Sequence, residues 1–338
     1  MNQYLKVFLF SFGSSIILTP LVRKLAFKLN ILDHPKSRKI HTKPIPKLGG
    51  LAIYLAFLIA IIINLDFNRK LVGVVLGGTI IFLIGIIDDI KHLSARFKLL
   101  AQLLASFIVI YFGVYIEVIP VKFLALFFTV FGLVGITNAL NFLDNMDGLA
   151  AGLTAVSGFS IFLFANQTGQ KWVEFLALAL IGSSLGFLPY NFKPAKIFMG
   201  DTGSTFLGFT LAAVAIMTQW SYRVPAAITI PVFIFAVMIF DTSLITILRI
   251  KDGKVKNFRQ WIEHADTDHF SHRLVRLGLS QRGAVIFIYI CALILGLIAN
   301  ILPKENVRIA YIADMILFIV ALTGVIILDR AKNKSRKV

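Results

Sequence analysis

Four short stretches concentrate acid, amide and imidazole in a chain that is otherwise apolar. Asp88 and Asp89 are adjacent in "DDIKHLSARFKLLAQ", with Lys98 ten residues on. "NALNFLDNMDGLAAG", residues 138–152, carries Asn138, Asn141, Asp144, Asn145 and Asp147. "PYNFKPAKIFMGDTGS" carries Asn191, Phe198, Asp201 and Ser204, and "EHADTDHFSHRL" carries His264, Asp266, Asp268, His269 and His272.

Each pattern suits a particular chemistry. Two adjacent carboxylates repel, and at the C-terminal end of a helix they also oppose the macrodipole, so Asp88 and Asp89 call for a cation. Asn141, Asp144, Asn145 and Gly148 recur at three- and four-residue spacing, which predicts one polar helical stripe with Asp147 at its edge. Oxygen donors at that density suit Mg²⁺ or Mn²⁺ rather than zinc. "GDTGS" predicts a helix start with free amides for phosphate, capped by Thr202 or Ser204, and Asp201 beside such an anion wants a metal between them. It is not a Walker A loop, because the G-x-x-x-x-G-K-[ST] spacing is absent. His269 and His272 lack a full zinc ligand set and suit binding phosphate oxygens or moving protons. Lys98 reads either as a snorkelling lysine or as a phosphate ligand.

These residues need elements to hold them, and apolar composition supplies the elements. Of 338 residues 58% are hydrophobic, and the mean hydropathy is +0.84, against about 45–50% apolar in soluble domains. The excess falls in eleven runs of roughly membrane-spanning length: 4–22, 48–65, 71–87, 98–116, 121–137, 150–165, 172–189, 203–218, 225–248, 284–302 and 309–328. Backbone in lipid must satisfy itself, so the expected fold is an all-α polytopic integral membrane protein with 10–11 transmembrane helices. Residues 1–338 are expected to form a single membrane-embedded domain, with an uncleaved first span. Cys291, the only cysteine, excludes an intrachain disulfide and a Cys-ligated zinc.

Charge gives the sidedness. The net charge is +17, and 26 of the 34 Lys and Arg residues fall on the face holding 23–47, 88–98, 138–149, 190–202, 249–283 and the tail. The positive-inside rule makes that face cytoplasmic, with the N-terminus outside and the C-terminus inside. All four polar stretches share it, and 249–283, with the histidines, is its longest loop. The charge suits anionic headgroups, and no nucleic-acid module appears. A multi-pass ion- or proton-coupled transporter is the main alternative, but it would place polar groups at the bilayer midplane rather than at one edge. Asp241 and Asp314 are the exceptions. A CDP-alcohol phosphotransferase is disfavoured because D-G-x-x-A-R is missing.

Carboxylates, oxygen-ligated metal and basic groups at a headgroup boundary point to phosphoryl transfer between a soluble and a lipid phosphate. The four stretches, with "DHPKSRKIHTKPIPKLGG" (33–50) and "FDTSLITILR" (240–249), resemble the polyprenyl-phosphate N-acetylhexosamine-1-phosphate transferases, in the right order over essentially the whole chain. The resemblance is greatest to their undecaprenyl-phosphate GlcNAc-1-phosphate branch. It implies transfer of a sugar-1-phosphate from a UDP-HexNAc to undecaprenyl phosphate with release of UMP, the first membrane step of an O-antigen, teichoic acid or related polymer. It further implies Mg²⁺ at Asp201 with Asn141 nearby, and Asp88 as base or lipid-phosphate orienter beside Asp89. Asn145, Met146, Asp147, Asn191 and Phe198 would line the nucleotide pocket, with Lys98 at phosphate and His269 and His272 on the sugar-phosphate side. Asp144 would either support the site or take part in it. The implied catalytic set is thus Asp88, Asp89, Asp144, Asp147, His269 and His272. The family also suggests a homodimer, which no residue here shows. One departure stands out: the usual His-x-His-His reads His269-Phe270-Ser271-His272. The pentapeptide translocase has its own histidine run, missing here, so its substrate is disfavoured.

Overall fold

The computed structural model describes residues 3–35, 44–64, 68–253, 269–302 and 306–335. They form two compact units, residues 1–218 and 219–338. His264, Asp266 and Asp268 lie outside the described residues.

The first unit holds eight helices: α1 (Gln3–Lys28), α2 (Gly49–Asn64), α3 (Arg69–Lys91), α4 (Ala95–Tyr111), α5 (Lys122–Leu143), α6 (Leu149–Thr168), α7 (Lys171–Asn191) and α8 (Gly200–Met217). Helix α8 is an interior helix, with 78% of its span buried, and it packs on α3 and α5. Val74 and Ile81 of α3, Ala105 and Val109 of α4, Leu133 of α5, and Phe209 and Ala213 of α8 make one core where these four helices meet. Close approach of α3 to α8 depends on Gly85, where a Cβ would stand 2.6 Å from Thr202 Cα. The loop between α1 and α2 departs from the all-α expectation by one small element. Strands β1 (Leu32–Asp33) and β2 (Ile45–Pro46) pair antiparallel, and Lys47 bridges to Phe198. Pro44 and Pro46 keep this segment extended.

The second unit holds α9 (Val224–Ile234), α10 (Ala236–Lys251), α11 (Phe270–Arg276), α12 (Gln281–Ile301) and α13 (Val307–Ser335). Helix α9 packs on both α12 and α13. Leu244 and Leu248 of α10 meet Leu328 of α13, with Phe240 and Phe270 packed against them.

A helix or helix pair occupies each of the eleven expected runs. Eight described helices are long and apolar enough to cross a membrane, or nine if α9 and α10 are one span. Helices α2 and α4, at 16 and 17 residues, are shorter than that. The run 225–248, read as continuous from sequence, bends by 79° at Phe235. Phe235 has φ −98° and ψ 8°, outside the α region, which turns the chain at one residue.

Candidate active site

Lys98 sits in the first turn of α4 because α3 ends abruptly before it. His92 takes a left-handed conformation (φ 51°, ψ 80°) and closes α3, and Ser94 caps α4 by accepting from Phe97 N–H. This turn folds Lys98 back toward the end of α3. Its Nζ donates to Asp88 Oδ2 at 2.9 Å and to Asp201 Oδ2 at 2.8 Å. Asp88 Oδ1 accepts from Leu93 N–H at 2.6 Å, so both of its oxygens are engaged. Asp201 Oδ1 accepts from Asn141 Nδ2 at 3.1 Å, and the same amide donates to Ser204 Oγ at 2.8 Å. The ends of α3, α4, α5 and α8 thereby converge on one ammonium and its two carboxylates.

Asp89 does something different. Its Oδ1 accepts from Asp201 N–H at 3.1 Å, and its Oδ2 from Thr202 N–H at 3.0 Å and Thr202 Oγ1 at 2.6 Å. It is buried, with Lys47 Nζ 3.7 Å away. A carboxylate from α3 is therefore the cap of α8. The expectation of free amides there, with Thr202 or Ser204 as cap, is corrected: Asp89 takes the amides, and Thr202 donates its hydroxyl rather than accepting. Gly200 (φ 69°) makes room, since a Cβ on it would meet Asp89 Oδ2 at 2.3 Å.

The polar stripe over 141–148 is also corrected. Helix α5 stops at Leu143, with Asp144 as its C-cap, and α6 begins at Leu149 after Gly148 (φ 83°). Asn, Asp and Gly favour a turn over helix continuation here, and Asn145 Nδ2 bonds back to Phe142 O at 2.8 Å. The turn divides the stripe. Asn141 and Asp144 remain with the carboxylates, while Asp147 Oδ2 accepts from Ala195 N–H at 3.0 Å. Buried Asn191 accepts from Gly148 N–H at 3.0 Å and donates to Ile197 O at 3.0 Å. Asp147 and Asn191 thus fasten the 192–199 segment, which carries Phe198, to the α5–α6 turn, with Met146 buried in it. Phe198 is half-buried, and its backbone bonds Pro46 O and Gly49 N–H. Asp144 is half-buried, and burial first, then the carboxylates of Asp201, Asp89 and Asp147, push its pKa well above the ordinary carboxylate range.

In the second unit, His269 precedes α11, and His272 lies on it with ring centroids 6.4 Å apart. Asp241 Oδ2 is 2.9 Å from His269 Nδ1, and its Oδ1 accepts from Phe270 N–H at 2.6 Å. Asp241, an exception to the one-sided placement of polar residues in the sequence, thus has a structural role. Gln102, absent from the candidate residues of the sequence, exchanges amide bonds with Asn138 at 2.8 and 3.3 Å and ties α4 to α5. The signal for Asp241 was an acid inside an apolar run; Gln102 gave none beyond being an amide in one.

The comparisons with known proteins bear on this constellation. A model described as glycosyl transferase family 4 matches residues 71–219, which hold the whole carboxylate cluster. A probable undecaprenyl-phosphate N-acetylglucosaminyl 1-phosphate transferase of Bacillus subtilis (strain 168) is 36% identical over 329 residues, covering 94% of this chain and 90% of that protein. The chain belongs to glycosyl transferase family 4. It is a multi-pass membrane enzyme and a glycosyl-1-phosphate transferase. A decaprenyl-phosphate N-acetylglucosaminephosphotransferase of Mycobacterium leprae (strain TN) is 32% identical over 311 residues, 80% of this chain and 77% of that one. A phospho-N-acetylmuramoyl-pentapeptide-transferase of Limosilactobacillus fermentum is 49% identical over 96 residues, 28% of this chain and 30% of that one. Similarity to the GlcNAc-phosphate relatives thus runs nearly end to end, whereas this pentapeptide-transferase shares a shorter and more similar piece.

Proposed function

We propose that the protein transfers N-acetylhexosamine-1-phosphate, specifically GlcNAc-1-phosphate, from a UDP-sugar to undecaprenyl phosphate. The products are UMP and the undecaprenyl-diphosphate sugar, which begins a cell-envelope polysaccharide at the cytoplasmic face of the inner membrane. The activities by which the Bacillus and Mycobacterium relatives are known support the lipid phosphate and the GlcNAc-phosphate. The observation that carries the reading is Lys98 held between Asp88 and Asp201, with Asn141 and Asp144 beside them.

The donor set fits Mg²⁺. Among the described residues no three Asp, Glu, His or Cys side chains form a ready-made metal cage. Mg²⁺ seldom needs one, because one or two carboxylates plus substrate phosphates usually hold it. Two ammoniums, Lys98 and Lys47, face Asp88, Asp89 and Asp201, and Asp144 adds a fourth carboxylate, which leaves the cluster short of positive charge. Asp201 and the carbonyl oxygen of Asn141 would hold the ion, and Mn²⁺ accepts the same donors. When bound, it supplies Lewis acidity to the diphosphate.

The chain's own groups supply position and charge. Lys98 opposes the charge that develops on the transferred phosphoryl group. Asp88, with both oxygens engaged, orients Lys98. Asp89 fixes the start of α8 and so the placement of Asp201. The lipid phosphate is already ionised at neutral pH, so its oxygen attacks the phosphorus bearing the sugar without needing a base. A new P–O–P link forms as the bond to UMP breaks.

The test is an assay of purified protein with radiolabelled UDP-GlcNAc, undecaprenyl phosphate and Mg²⁺. Label in the lipid phase with equimolar UMP is expected. Neither product, with any UDP-HexNAc, would remove this reading.

A further inference from the structure

Asp241 is fully buried on α10, yet one carboxylate makes two bonds to consecutive residues: Oδ2 to His269 Nδ1 at 2.9 Å and Oδ1 to Phe270 N–H at 2.6 Å. Next to it, the Phe240 and Phe270 rings meet edge-on at 5.3 Å. Two adjacent residues of α10 therefore grip the two residues at the start of α11, and the His269 ring is fixed in place and in orientation. Ser271 and Arg273 are buried, whereas His272 is half-buried with its ring near that of His269. No described residue bonds His269 Nε2.

A carboxylate that already accepts a backbone N–H has only lone pairs left, so the nitrogen facing it must carry hydrogen. Which nitrogen of an imidazole is protonated is set by the bond made by the other one. We propose that Asp241 is a positioning residue: it holds His269 as the Nδ1–H tautomer, so that Nε2 keeps a lone pair to accept an O–H or N–H of a ligand. The kinetic part rests on the transferase reading above; the tautomer does not.

Asp241→Asn is nearly isosteric. Its oxygen still accepts from Phe270 N–H, while its NH₂ faces Nδ1, which forces the opposite tautomer. In ¹⁵N-histidine-labelled protein, with the His269 signals assigned through His269→Gln, the unaltered chain is expected to show Nδ1–H and the variant Nε2–H. The variant's kcat/KM for UDP-GlcNAc is expected to fall about 10- to 100-fold, the scale of one hydrogen bond in a buried site. The KM for undecaprenyl phosphate should hold. The double variant Asp241→Asn/His269→Ala should be no worse than His269→Ala alone. An Nε2–H signal in the unaltered chain overturns the proposal, even if the variant does not fold. So does a further loss in the double variant equal to that of Asp241→Asn alone, because that marks a purely structural role. An unaltered chain inactive with every UDP-HexNAc, but showing Nδ1–H, removes the transferase reading and with it the kinetic role, while the tautomer assignment stands.

Discussion

Asp89 Oδ2 accepts from both the backbone N–H and the hydroxyl of Thr202, at 3.0 and 2.6 Å, across 113 residues of sequence. An acid adjacent to Asp88 is thereby spent on holding a helix start. Asp89→Ala leaves the Asp201 and Thr202 amides without their acceptor. Hydrogen bonds to a charged group contribute about 1.5–3 kcal/mol each, so a clear drop in unfolding temperature is expected along with loss of turnover. Thermal unfolding in detergent checks this. A variant as stable as the unaltered chain but inactive would move Asp89 from capping to chemistry.

Lys98 is the group on which the two halves of the cluster meet. Lys98→Met keeps the length of the side chain and removes the charge, leaving Asp88 and Asp201 facing each other. Loss of one preorganised donor to a developing charge costs about 10²–10³-fold in kcat, and that loss is expected here. Lys98→Arg should recover part of it only, because a planar fork cannot occupy the point between two carboxylates as an ammonium does. Initial rates at saturating substrates distinguish the three proteins.

Asp144 gives a pH dependence with a definite sign. Burial and the neighbouring carboxylates raise its pKa in the folded state above that of the unfolded chain. Its contribution to stability is therefore fully present below the ordinary carboxylate pKa and is lost as pH rises through the elevated one. In a chelator, Asp144→Asn should remove that loss and be the more stable protein at neutral pH. Unfolding temperatures of both proteins, followed from acid to neutral pH, test it; parallel curves would contradict the assignment.

Much of this was legible in the sequence, and the remainder has identifiable physical causes. Long apolar runs announce helices because lipid leaves the backbone no alternative, and helices occupy all eleven runs. Asp88, Lys98, Asn141 and Asp201 stand at the ends of runs, where polar groups cost something and so carry information; the structure brings all four together. Roles that depend on tertiary approach were not legible. That Asp89 would cap α8 follows from Gly85 letting α3 reach Thr202, and no local pattern shows it. The 141–148 stripe failed because turn-forming residues ended α5 where helical spacing alone would have extended it. The break at Phe235 lies in an apolar run that holds Pro231 four residues earlier, but no residue type marks Phe235 itself as the turning point.

Ser271 stands where the resemblance read from the sequence would place a histidine, and it is fully buried. The larger ring has no room there without moving its neighbours. Ser271→His is expected to destabilise by about 1–3 kcal/mol, the usual cost of overpacking, without changing the preference among UDP-HexNAc donors. Unfolding temperature and donor competition assays measure the two parts separately.

Asn191 links the α5–α6 turn to the segment before α8 through one side chain, accepting from Gly148 N–H and donating to Ile197 O. Asn191→Ala leaves a buried donor and a buried acceptor unpaired, at about 1–3 kcal/mol each. The segment also hangs on Asp147 through Ala195 and on Pro46 through Phe198, so it should loosen rather than detach. Phe198 then loses its fixed position while Asp201, held by Asp89 and Lys98, keeps its own. The expected outcome is a raised KM for the UDP-sugar with kcat less affected. A fall in kcat at unchanged KM would mean that the segment serves the reacting phosphates rather than the nucleotide.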